Sequence, residues 1–252
     1  MRTFLIASAS KVPLAVVILA GTLLSLSTAA WLLVAQSSMP MVGTLDPVAL
    51  GLFTGIWGVG MAAMMFPSLI PMVYTVTVSA RKKLEDDRGL GRFQQHVVFL
   101  PASLFVLGYI AVWTLVGTVF YLAITVLAQA GFPIMGSLSL WAGLIIILTG
   151  LYQFSGFKQS ALMKCRSPMS FIMMHWKNGN SGAAVMGVDY GMFCTKCCWV
   201  LMAGLLTVGA MSLPLMGVFS VIIFAEKLGP FGPAISKLVG AAFLATGIFL
   251  II

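Results

Sequence analysis

Three of the four cysteines in the chain fall in one short run, Cys194-Thr195-Lys196-Cys197-Cys198-Trp199. On an α-helix, residues three and four apart share a face, so Cys194, Cys197 and Cys198 converge on one point. Met202 follows one turn later on the same stripe. Four chemistries fit such a cluster: a disulfide, a redox dithiol, a soft-metal site, or packing alone, because a free cysteine behaves as a small hydrophobe. Cys194 and Cys198 are within disulfide reach across one turn, whereas a bond between the adjacent Cys197 and Cys198 would be strained. Sulfur ligands select Cu(I), zinc or iron–sulfur centres. Three sulfurs from one helix suit low-coordinate Cu(I), while tetrahedral zinc wants a fourth ligand.

A second sulfur face has the same spacing. Met61, Met64 and Met65 stand at i, i+3 and i+4, followed by Pro67, Pro71 and Met72. Thioethers are neutral soft donors that bind Cu(I) and bind zinc poorly, although methionine also fills gaps in apolar cores. The two prolines remove backbone donors and predict a bend with freed carbonyls. Cys165 and His175 lie ten residues apart across Pro168, with no local ligand spacing between them. His175 is one of two histidines and either supplies a further ligand or sits at an interface. Asp189, Lys196 and Glu226 are ionisable residues in apolar surroundings, which makes them functional candidates. Lys196 either pairs with Asp189 or Glu226, lowers the thiol pKa values, or snorkels to the headgroups.

The elements that must position these residues are membrane helices. The 252-residue chain is 60% hydrophobic and 8% charged, against roughly 25% charged in a soluble domain. Apolar runs long enough to cross a bilayer as helices, and far too continuous for barrel strands, predict an all-α polytopic bundle. The whole of 1–252 reads as a single integral membrane domain. The predicted spans are 12–35, 48–80, 97–128, 137–156, 182–211, a short 213–225 interrupted by Glu226-Lys227 and Gly229-Pro230, and 234–252, giving six spans and a seventh. Arg2 and Lys11 ahead of an apolar run resemble a secretory signal, but the run continues to Ala35, so it reads as an uncleaved first span.

Net charge is +8, and its placement is informative. Loops 81–95 (Arg81, Lys82, Lys83, Arg88, Arg92) and 158–180 (Lys158, Lys164, Arg166, Lys177) hold nine of the fourteen basic residues. Loops 36–47 and 129–136 and the turn near 212 hold none. By the positive-inside rule the N-terminus and both basic loops are cytoplasmic. The thiols then start in the inner half of their span, facing a reducing compartment, which favours a soft metal over a disulfide. No basic and aromatic cluster suggests nucleic acid, and no Walker motif suggests a nucleotide.

At these motifs the sequence resembles a prokaryotic family of predicted metal-binding integral membrane proteins, some labelled copper-chaperone-like. The resemblance covers about residues 50–235 and rests on four motifs and a late pair. The first is Trp57, Met61, Ala63, Met64, Met65 and Pro67; the second is Lys158, Cys165, Arg166, Ser167 and Pro168. The third is His175, Trp176, Gly179, Gly182 and Ala183; the fourth is Gly191, Cys194, Cys197, Cys198, Trp199, Leu201 and Met202. The late pair is Glu226-Lys227. Three positions depart from the pattern: Ala161 replaces a cysteine, Lys196 a small residue and Tyr190 a histidine. The resemblance implies a copper-handling protein of the cytoplasmic membrane that holds Cu(I) or delivers it to a membrane or periplasmic copper enzyme. Two other readings fit the same residues: a non-catalytic accessory subunit of a larger membrane complex with degenerate ligands, and a membrane thiol oxidoreductase using Cys194 and Cys197. Metal passage, using the same ligands as storage, also remains open.

Overall fold

The computed structural model describes residues 14–37, 45–88, 99–131, 140–209 and 212–251. The basic N-terminus with Arg2 and Lys11, segment 89–98 with Arg92, and the connections 38–44 and 132–139 lie outside the described residues. Among the described residues the regular structure is helical throughout: α1 (Leu14–Gln36), α2 (Pro47–Arg88), α3 (Phe99–Gln129), α4 (Leu140–Gln153), α5 (Gly156–Arg166), α6 (Pro168–His175), α7 (Gly179–Gly209), α8 (Leu213–Leu228) and α9 (Gly232–Ile251). Segments Val17–Gln36, Pro47–Lys83, Phe99–Gln129 and Gly232–Ile251 are long and apolar enough to cross a membrane, and Gly143–Gln153 is a shorter apolar helix. Large apolar side chains such as Leu107, Leu115, Leu148 and Phe249 face outward, as a lipid-facing surface requires.

α3 packs along α7, α4 along α9, and α2 against both α1 and α3. Glycine permits the closest of these approaches. A Cβ at Gly108 would stand 3.1 Å from the Val188 nitrogen, and one at Gly187 would stand 2.8 Å from the Phe105 carbonyl carbon. The pairings 105 with 187 and 109 with 191 make α3 and α7 parallel. α3 therefore brings Tyr109 alongside the cysteine stripe.

α2 runs unbroken through both prolines. Pro67 has no N–H for the carbonyl of Ala63, and Ser27 of α1 donates to that oxygen at 2.7 Å, fully buried. The carbonyl freed by proline is thus satisfied by the neighbouring helix, and α1 is tied to the methionine face. Met61, Met64, Met65 and Met72 are all buried.

The largest difference from the sequence reading lies at 158–180. A basic cytoplasmic loop was expected; the segment folds as α5 and α6, each with a buried face. Ser155 caps α5, its Oγ accepting from the Lys158 N–H at 3.2 Å, and Pro168 in the first turn of α6 separates the two helices. Lys158, Ala161, Leu162 and Cys165 on α5, with Phe171 and Ile172 on α6, are buried. The methionines of this region, Met163, Met169, Met173 and Met174, face outward.

Candidate metal centre

α7 carries Cys194, Cys197 and Cys198, each no more than 1% exposed. α5 packs against α7 and returns Cys165 to the same place. The sulfurs of Cys165, Cys194 and Cys197 lie within 4.8 Å of one another, and all four cysteines are free thiols. Cys165 Sγ is 3.9 Å from Cys197 Sγ. Metal–sulfur bonds of about 2.3 Å place the sulfurs of a trigonal centre about 4 Å apart, so the cluster needs little movement to enclose an ion. Cys198 Sγ is 3.1 Å from Cys197 Sγ, beside the three-sulfur group. The Cys165 carbonyl accepts from the Tyr190 hydroxyl at 3.1 Å, which fixes the end of α5 against α7.

The thiol and thioether faces meet across a buried lysine. Lys227 of α8 is 4% exposed, and its Nζ lies 2.7 Å from Cys194 Sγ. The same ammonium is 3.4 Å from Ser68 Oγ and 3.6 Å from Met65 Sδ. Tyr109 Oη lies 3.0 Å from Cys194 Sγ on the α3 side. Met65 is therefore connected to the thiols through Lys227. Met61, Met64 and Met202 are buried in the same core.

The preceding residue, Glu226, faces the other way. Both of its carboxylate oxygens accept from Lys158 Nζ at 2.9 Å, with side-chain exposures of 0% for Lys158 and 1% for Glu226. Lys158 also donates to Gln153 Oε1, and the Arg166 guanidinium donates to the Glu226 carbonyl.

The remaining candidates stand apart from the thiols. His175 stacks on Phe171 with centroids 4.7 Å apart and lies outside the three-sulfur group. Asp189 pairs with Lys177 at 3.2 Å near the surface. Neither carboxylate suggested for Lys196 is its partner. Lys196 is exposed, with its ammonium 5.7 Å from the Phe193 ring. Lys196→Ala is accordingly expected to change copper retention by no more than about twofold, the scale of an exposed charge, measured by chelator competition.

A family model described as PpoB2, copper chaperone, matches residues 54–250. The chain belongs to this family. No curated protein and no solved structure matches it. The PpoB2 copper-chaperone family supports copper binding, and the buried thiol cluster fits it.

Lys158 and Lys227 entered the sequence reading as parts of the resembled pattern, and Tyr109 was not singled out; the fold supplies their contacts. A lysine in an apolar helix next to a glutamate is the signal that identifies Lys227, since an ionisable residue at membrane depth is a functional suspect.

Proposed function

We propose that the chain binds Cu(I) through Cys165, Cys194 and Cys197 and holds it for, or delivers it to, a membrane or periplasmic copper enzyme. The observation that carries this reading is the recruitment of Cys165, from a separate helix, to within 4.8 Å of two converging thiols on α7. Buried packing alone gives no reason for sulfurs from two helices to meet at metal-ligand spacing. Soft thiols and thioethers suit the monovalent ion. Cys198, Met65 and the buried Met61, Met64 and Met202 supply further sulfur nearby. Exchange between soft ligands is sufficient to pass the ion on, and no catalytic step is needed. The distribution of basic residues supports a multi-pass membrane protein with its N-terminus inside, and the resemblance supports a prokaryotic cytoplasmic membrane.

The protein purified from copper-supplied cells is expected to carry close to one copper per chain, and Cys197→Ser to lower retention against a chelator at least about tenfold, or about 1.4 kcal/mol. A protein that folds normally, purifies without metal and is indifferent to the serine change supports the accessory-subunit reading instead. Ala161 and Tyr190, standing where the resembled pattern has cysteine and histidine, are the features on its side.

A further inference from the structure

Lys227 presents a charge problem. Among the described side chains, Glu226 is paired with Lys158, Asp189 with Lys177, and Asp46 caps α2 by accepting from the N–H groups of Val48 and Ala49 at 3.2 Å each. The polar contacts of the buried Lys227 ammonium are sulfur and hydroxyl: Cys194 Sγ, Met65 Sδ and Ser68 Oγ. A cation at membrane depth is costly unless an anion is close. Its nearest contact, at 2.7 Å, is a sulfur of the metal centre.

We propose that Lys227 is the fixed counter-cation of the metal–thiolate complex and so a specificity-determining residue of the site. The inference rests on the copper-binding reading above. One monovalent ion on two thiolates carries a charge of minus one, and the ammonium brings the assembly to zero, leaving the third sulfur as a neutral donor. A divalent ion on the same two thiolates leaves the assembly at plus one, and reaches neutrality only if all three thiols ionise. Where water does not screen the difference, an unbalanced charge weighs heavily against binding. The lysine therefore favours a monovalent soft ion. It also lies between the two faces, 3.6 Å from Met65 Sδ and 2.7 Å from Cys194 Sγ.

The test uses the full chain in lipid nanodiscs, with Cu(I) alone or Zn(II) alone in chelator competition and the ultraviolet copper–thiolate band recorded in parallel. Lys227→Leu, which removes the charge without adding a sulfur donor, is expected to weaken Cu(I) binding about tenfold or more, while Lys227→Arg, which keeps the charge, stays within about threefold of the wild type. The Cu(I)-to-Zn(II) affinity ratio should fall at least about tenfold in the leucine variant alone. If that variant does not fold by circular dichroism, Lys227→Gln carries the same expectation. Undiminished or tighter Cu(I) binding in the neutral variant overturns the proposal and makes the ammonium a bystander or a competitor. Equal losses in the arginine and neutral variants overturn it in favour of shape. A wild-type chain that binds neither ion overturns the copper-binding reading itself, a result distinguishable from the other two.

Discussion

Glu226→Ala is expected to destabilise the folded protein by about 3–5 kcal/mol, the cost of leaving one half of a buried ion pair alone. Lys158 and Glu226 are 0% and 1% exposed, so the stranded ammonium has no water to turn to. Gln153 offers it only a neutral oxygen. The double replacement Lys158→Met with Glu226→Leu should come within about 1–2 kcal/mol of the wild type, because apolar pairs of similar volume replace buried ion pairs at little cost. Denaturant-induced unfolding in detergent, followed by circular dichroism, gives both numbers. A single-mutant cost below about 1 kcal/mol would mean that the pair behaves as an exposed one, contrary to its burial. The pair joins α5 to α8, so the single variant should also weaken copper retention, since α5 carries Cys165.

The second large effect is steric. Gly187→Leu is expected to cost about 3 kcal/mol or more, at the upper end of overpacking penalties. Even the first carbon of the new side chain collides with the Phe105 carbonyl group. The obstacle is backbone, so α3 and α7 must separate to admit it. That movement withdraws Tyr109 from Cys194, and metal retention should fall together with the unfolding midpoint. Gly217→Ala on α8 is the control: a Cβ there meets nothing within 4 Å, and alanine should be neutral or stabilise the helix by up to about 1 kcal/mol. Equal losses at the two sites would show that glycine is needed for helix flexibility and not for the α3–α7 contact.

The membrane-helix character and both sulfur faces were legible in the sequence, because each depends on composition or on spacing within one helix. Cys165 was legible as a candidate but not as a neighbour of Cys197. Nothing in residues 158–180 tells that a segment with four basic residues turns back into the core. The deciding fact is that Lys158 finds Glu226, 68 residues away. Lys158, counted with the basic residues of a cytoplasmic loop, is taken up by an internal contact. Glu226 and Lys227 show the limit more sharply. Adjacent helix residues point about 100° apart, so one reaches α5 and the other the thiols, and no local pattern assigns the two directions. Pro67 was legible as a freed carbonyl; that Ser27 would occupy it depends on how α1 packs. His175 had the right chemistry for a ligand, but its ring is engaged with Phe171, outside the three-sulfur group.

The discontinuity at Phe154-Ser155 gives the centre a seam. Two of its three thiols, Cys194 and Cys197, ride on one 31-residue helix, while Cys165 rides on an 11-residue arm that begins at the break. A displacement of that arm would take Cys165 out of the group and leave Cys194 and Cys197 in place on the long helix. Tyr190 and the Lys158–Glu226 pair are the clasps that resist it. The third sulfur of the group thus depends on two contacts of one short arm and not on the packing of the long helix.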